Sequence, residues 1–253
     1  MGTCILLDSE SQMIPLKRGR YVAEQAHSAR QITEAQELRG LCFGVAQDDS
    51  DAFDDVCSHI LIRCLITSQL VCCFRLLPVS GPEIAQSYSA QFYELSALEV
   101  YEGKMVEIGR FCVHPEFRDP DILRIAWGAM TAYVDCHDVR LLFGCSSFTG
   151  TETAEYLDAF ATLKARYLAP KRWLPRVKAP NVFQFSARMQ DKPDCKKAML
   201  QMPPLLKTYL MMGGWVSDHA VVDQHMNTLH VFTGIEVGAI PPARKRLLRA
   251  VAG

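Results

Sequence analysis

The sequence predicts a mixed α/β fold, a mainly antiparallel sheet flanked by helices with one central crossover, and three observations carry that expectation. Some segments repeat apolar residues at three- and four-residue steps, while others are short runs rich in β-favouring residues. The strand-like runs 59–66 and 70–77 are separated only by Thr67-Ser68-Gln69, a hairpin spacing. Residues 105–145 read strand, helix, strand, the order of a parallel pair joined by a crossover.

The elements follow in order. From Ser28 to Phe43, Ile32, Ala35, Leu38 and Cys42 line one face of a helix, and Ser28 suits its N-cap. An acidic stretch, Asp48–Asp55, precedes the hairpin, which Pro78 and Gly81-Pro82 are expected to end. Met105–Val113 reads as a strand stopped by Pro115. Asp121–Val134 is a helix carrying Ile122, Ile125, Ala129 and Ala132, and Val139–Cys145 is a short buried strand. Thr153–Tyr167 and Pro203–Met212 are helical, and Asn181–Ser186, His219–Val222 and Thr228–Thr233 are strands.

Composition excludes several function classes. The 253 residues hold 27 basic and 28 acidic side chains, so bulk electrostatic binding of nucleic acid is not expected. A chain of this length buries roughly 70–75% of its unfolded surface and needs no staple. Its ten cysteines are scattered, none in Cys-x-x-Cys, which argues against a structural metal and for a reducing compartment. Met1–Leu7 lacks a basic n-region and is followed by Asp8 and Glu10, so no secretory signal is expected there. Met1-Gly2 is followed by Leu6 where a myristoylation motif needs Ser or Thr. No run of 18 apolar residues occurs, and the expected location is cytoplasmic, with peripheral membrane contact as an option.

Charged residues that interrupt apolar stretches are the candidate chemistry. Arg39 lies in the first helix, Arg75 in Val71–Leu77, and Glu107 with Arg110 in Met105–Val113. Burying such groups without partners costs several kcal/mol, so each is either half of a structural ion pair or part of a site. A bulge at Gly109 would bring Glu107 and Arg110 to one face, where Glu107 could act as general base for an amine. The five carboxylates of 48–55 are either a solvated loop or a site for a cationic amine. Residues 164–178 carry six basic and no acidic side chains, a patch for anionic lipid, an acidic carrier protein or solvent. Arg244-Lys245-Arg246 with Arg249 forms a weaker one. The histidines show no ligand spacing, and Ser146-Ser147 lacks a nucleophile-elbow context.

Several blocks resemble one family. Phe53-Asp54-x-x-Cys57-x-His59-Ile60-Leu61-Ile62, Phe74–Pro78, Glu107–Pro115 with Phe117-Arg118, Leu142–Thr151, Met202–Tyr209 and Asp218–Asp223 are similar, in order, to the ornithine–acyl carrier protein N-acyltransferases. The likeness covers about residues 20–235. It implies a single GNAT-like domain over 1–253 with 236–253 as a tail, and kinship with the acyl-homoserine-lactone autoinducer synthases. The shared pattern maps onto Arg39 and Phe43, Asp51 and Asp54, Arg75, and Glu107 with Arg110, while Ser147 sits in the central block.

The implied reaction moves a fatty acyl group, typically 3-hydroxylated, from acyl carrier protein to the α-amine of an amino acid, giving a lyso-aminolipid. Glu107 would take the amine proton and Arg75 or Arg110 would hold the substrate carboxylate. Asp51 and Asp54 would attract a cationic side chain. No metal or redox cofactor is implied, since the donor is a phosphopantetheine thioester. The turn Phe117–Arg124 lacks the glycines with which CoA users hold pyrophosphate, compatible with a carrier-protein donor. Arg118, Arg124, Lys171 and Arg172 are its candidate docking points. Departures such as Ser58 and Cys72-Cys73-Phe74 leave glutamine or an aminosulfonate as alternative acceptors to ornithine. An autoinducer synthase and a non-catalytic acyl-carrier or membrane-binding protein are the remaining alternatives.

Overall fold

The structure, a computed structural model, describes residues 15–45, 49–186 and 193–252. In chain order its elements are β1 (Leu16–Arg18), β2 (Tyr21–Gln25), α1 (Ala29–Phe43), β3 (Ser58–Cys64), β4 (Leu70–Val79), β5 (Tyr93–Glu94) and β6 (Lys104–Val113). Then come α2 (Pro120–His137), β7 (Val139–Thr149), α3 (Leu157–Arg166), β8 (Arg176–Val177), β9 (Val182–Gln184), α4 (Cys195–Gln201) and α5 (Pro204–Met211). The chain ends with β10 (Trp215–Val216), β11 (His219–Asp223), β12 (Thr228–Glu236) and α6 (Pro242–Ala252). Two compact units are present. The first takes in the described residues of 1–78, 108–139 and 242–253, and the second those of 79–107 and 140–241, so β6 begins in the second and ends in the first.

In the first unit the strand order is β1-β2-β3-β4 followed by the end of β6. The pairs β1–β2, β2–β3 and β3–β4 are antiparallel, with a register shift at Ile62/Arg63. Helix α1 starts where the sequence places it: Ser28 is extended and its side chain accepts from the Gln31 N–H. It stops at Gly44, whose left-handed φ of 69° lets its N–H cap the Gly40 carbonyl. Ala35 and Leu38 on the buried face of α1 pack with Leu61, Leu70, Cys73 and Cys112, and Phe43 leans on the same cluster. Helix α6 lies against α2, where Val251 approaches Gly128 and Arg249 makes two 2.8 Å bonds to Asp135.

The second unit orders β7-β12-β11-β9, all antiparallel, with β10 also on β12 and a small β5–β8 ribbon. Its core is aromatic. Phe160 of α3 stacks on Phe185 at 5.1 Å and meets Phe148 of β7 edge-on at 5.1 Å. Burying each such ring contributes about 1.5–3 kcal/mol before packing is counted. Mainly antiparallel strands with flanking helices are the predicted class.

Four expectations need correction. Pro78 does not end β4, which runs to Val79; the β3 register finishes at Ser58↔Leu76, so the missing N–H of Pro78 breaks no bond to β3. The first hairpin strand stops at Cys64, leaving Leu65 and Ile66 exposed in the turn. The strand expected over Val139–Cys145 extends to Thr149, because β12 supplies a partner along its length from Leu141 on. Residues 153–167 divide into a 3-10 turn, Thr153–Tyr156, and α3. The tail 236–253 contains α6. The expectations about Met1–Leu7, Met1-Gly2 and Asp48 lie outside the described residues.

Candidate active site

The interrupted strands and the acidic stretch meet in the first unit as a buried ion-pair network. Arg39, three residues after Gln36 on α1, donates through Nε to Asp49 Oδ2 at 2.9 Å and through Nη1 and Nη2 to Asp54 at 2.7 and 2.9 Å. Its Nη2 also reaches the Asp49 carbonyl. Arg75 of β4 donates from Nη1 to Asp51 at 2.5 Å and to Asp54 at 2.7 Å, and from Nη2 to Asp51 at 3.1 Å. Arg110 of β6 donates to Asp49 at 2.7 Å and to Asp51 at 3.1 Å. Gln36 adds a 2.9 Å bond to Asp54, and His59 Nε2 lies 3.0 Å from the Asp54 carbonyl oxygen.

Local folding explains how the carboxylates reach the arginines. Asp51 caps the 3-10 turn Ala52–Asp55 by accepting from the Phe53 N–H, and Asp54 returns to the Asp51 N–H in a capping box. Asp51 and Asp54 are thereby held near each other, and three arginines from α1, β4 and β6 neutralise them together with Asp49. Burial alone would raise the Asp54 carboxyl, but hydrogen bonds from Arg39, Gln36 and Arg75 outweigh it and hold it well below the usual carboxylate range. Burial opposes ionisation of Asp51 too, and Arg75 and Arg110 hold it low. His59 is pushed down, chiefly by burial. One donor is left over. Arg75 Nε, in a residue only 3% exposed, has no hydrogen-bond partner among the described residues, and it faces Gly109, whose absent Cβ would lie 3.8 Å away.

In the second unit, Glu107 is 3% exposed and receives three donors. Oε2 accepts from the Tyr88 N–H at 2.7 Å, and Oε1 accepts from the Ser89 N–H at 2.7 Å and the Ser89 hydroxyl at 2.5 Å. Within β6 it is Arg110, next to Gly109, that takes the left-handed conformation, at φ 51°. A non-glycine residue in that region costs about 1 kcal/mol or more, and here its side chain is fixed by two carboxylates.

The other predicted residues separate from these two clusters. Phe43 is packing at the end of α1. Ser147 is exposed on β7, opposite His230 in register. Arg118 is exposed, and Arg124 pairs with its own neighbour Asp121 at 2.7 Å. Lys171 and Arg172 are exposed on a 3-10 turn of the second unit, Arg172 lying 5.1 Å over the Trp173 ring and 3.7 Å from Glu236. Sequence reading passed over Gln36, Asp49 and Ser89. Asp49 stood inside the acidic stretch, and Gln36 shares a helix face with Arg39, but Ser89 carried no pattern at all. Among the described residues no group of three or more His, Cys, Asp or Glu could hold a metal ion.

The turn after β6 is also informative. Asp119 caps α2 by accepting from the Asp121 N–H at 2.9 Å, and it is held by Arg20 at 2.7 Å and the Tyr21 hydroxyl at 3.0 Å. Asp121 adds a second carboxylate to the first turn. The end of α2 that could otherwise receive a phosphate already carries fixed negative charge.

Residues 35–128 match the family model described as an acetyltransferase (GNAT) domain. An L-ornithine N(alpha)-acyltransferase from Brucella abortus is 31% identical over 249 residues, 90% of this chain and 88% of its own. One from Rhodobacter capsulatus is 30% identical over 238 residues, 87% of this chain and 91% of its own. An acyl-homoserine-lactone synthase from Agrobacterium fabrum is 28% identical over 113 residues, 44% of this chain and 53% of its own. Arg39, Arg75 and Arg110 and their partners Asp49, Asp51 and Asp54 all fall within the span of the GNAT model, and the full-length likeness carries the assignment: this acyltransferase chain belongs to the L-ornithine N(alpha)-acyltransferase family.

Proposed function

We propose that the protein transfers a fatty acyl group, typically 3-hydroxylated, from acyl carrier protein to the α-amine of L-ornithine, forming a lyso-ornithine lipid. The observation that carries this reading is the likeness to relatives named L-ornithine N(alpha)-acyltransferase along about nine-tenths of both chains. In the reaction the amine nitrogen attacks the thioester carbonyl, a C–N bond forms, and the C–S bond breaks to release the phosphopantetheine thiol. Glu107 takes the amine proton, directly or through a water. The donors it accepts from Tyr88 and Ser89 suit an ionised carboxylate, the form a base needs.

Asp51 and Asp54 have arginine partners, so their part is to orient Arg75 and Arg110 rather than to meet a cationic side chain themselves. The unused Nε–H of Arg75 is the donor we assign to the ornithine carboxylate. Asp119 at the start of α2 supports a donor without the nucleotide end of CoA. Docking of the acidic carrier protein at Arg118, Arg124, Lys171 and Arg172, and peripheral contact with an anionic membrane, rest on exposed positive charge. Among the described residues no helix is long and apolar enough to cross a membrane.

The test is in vitro transfer. Purified protein with 3-hydroxyacyl carrier protein and L-ornithine should release free thiol and yield an Nα-acyl ornithine by mass spectrometry, with the acyl-CoA donor much poorer. Thiol release with glutamine or an aminosulfonate but not with ornithine would replace the acceptor, and no acylated product with any amine would remove the reading.

A further inference from the structure

We infer that Ser89 is a positioning residue that sets the basicity and aim of Glu107, through a hydrogen-bond chain Cys145–Ser89–Glu107. The inference rests on the reading of Glu107 as the general base. Ser89 is completely buried, in a 3-10 turn (Ser89–Gln91) with no packing side chain of its own to offer. Its amide and its hydroxyl both converge on Glu107 Oε1, at 2.7 and 2.5 Å, while the neighbouring Tyr88 amide holds Oε2 at 2.7 Å.

Proton counting fixes the direction of the chain. A serine hydroxyl has one proton, and the 2.5 Å bond to a carboxylate uses it. Cys145 Sγ lies 3.4 Å from Ser89 Oγ, and with the Ser89 proton committed to Glu107 it is the thiol of β7 that donates in this contact. Ser89 is thereby both donor to Glu107 and acceptor from Cys145. Two backbone amides alone would hold the carboxylate in place. The hydroxyl adds a third donor to the charged form, which stabilises that form and keeps the carboxylate ionised and aimed, at the cost of some basicity. Other titratable groups around the turn are the Tyr88 phenol and Lys178, whose ammonium donates to the Ala90 carbonyl at 2.6 Å. Arg110, on the same strand as Glu107, is engaged by Asp49 and Asp51.

The test is the pH dependence of kcat/KM for acyl transfer from acyl carrier protein to ornithine, measured by thiol release on the full chain. Losing one hydrogen bond to a charged group corresponds to about one pH unit. Ser89→Ala should therefore move the acidic limb of the profile upward by about one unit, and Ser89→Cys, similar in shape with a weaker donor, should fall between it and the parent. A uniform loss of kcat/KM with both limbs in place, in Ser89→Ala or in Ser89→Cys, would mean a merely structural serine and overturn the inference. Glu107→Gln separates this from the base assignment. If Glu107→Gln abolishes the acidic limb while the Ser89 variants leave it unmoved, only the role of Ser89 fails. If Glu107→Gln retains the limb at its original position, the base reading itself fails.

Discussion

Replacing Arg39 with methionine removes the centre of the buried ion-pair network while keeping a side chain of similar length. Arg39 is 1% exposed and supplies two of the charge-assisted bonds to Asp54 and one to Asp49. Without it, Asp49 keeps Arg110 at 2.7 Å, and Asp54 keeps Arg75 at 2.7 Å and Gln36 at 2.9 Å. The cluster then holds three carboxylates against two arginines, one uncompensated charge in a site screened from water. Breaking a buried pair from one side costs about 3–5 kcal/mol, and because each aspartate retains one arginine the lower end, about 3 kcal/mol, is expected. Urea unfolding followed by intrinsic tryptophan fluorescence measures this; guanidinium would screen the charges and blur the result. A double-mutant cycle with Asp54→Asn should give a coupling of about 1 kcal/mol or more. A loss below about 1 kcal/mol with no coupling to Asp54 would refute the view that these charges are mutually dependent.

Two further perturbations follow from the same geometry. Burial lowers His230 from 6.5 to about 4, so the unfolded chain takes up a proton that the folded chain refuses between those values. The stability this group contributes is whole above about pH 6.5, falls as pH drops toward 4 and then levels, a total of about 3 kcal/mol; urea unfolding at pH 7 and pH 4.5 should show the fall in the parent and a smaller one in His230→Gln. Gly109→Ala meets nothing nearer than Arg75 Nε at 3.8 Å, so its melting temperature should stay within a few degrees of the parent's. The added methyl stands in front of the unused Arg75 donor, however, and steady-state kinetics should show a several-fold higher KM for the amino acid with the acyl-donor KM unchanged.

Much of the fold was legible because local chemistry and tertiary packing agree. Helix α1 announces itself by Ser28 and its apolar face, and the 59–77 hairpin by two apolar, β-favouring runs around a short turn. The misses have physical causes. Pro78 is a breaker only where its N–H is needed, and the β3 register ends before it. Strand β7 outlasts its apolar run because β12 pairs with it as far as Thr149. Helix α6 looked like a charged tail, since only packing against α2 makes use of Val251 and Arg249.

The site divides in the same way. Charged residues interrupting apolar stretches marked Arg39, Arg75, Glu107 and Arg110 as needing partners; the first three are buried, Arg110 is half-buried, and all four are hydrogen-bonded. Who partners whom was not legible: Arg110 and Asp49 are 61 residues apart, and Ser89 reaches Glu107 across 18. Spacing within a strand says nothing about such pairings. The scattered cysteines, read as small hydrophobes, behave so in the first unit, where Cys73 and Cys112 sit 3.5 Å apart in a buried cluster and burial pushes the Cys72 thiol up.

The most direct test of the central claim is the lipid profile of a host that lacks aminolipids, expressing this chain with ornithine or other amino acids supplied. Mass spectrometry should show an Nα-(3-hydroxyacyl) ornithine that depends on the chain, increases with ornithine and disappears in Glu107→Gln. Accumulation of a different N-acyl amine, or no new N-acyl amino acid under any supply, would contradict it.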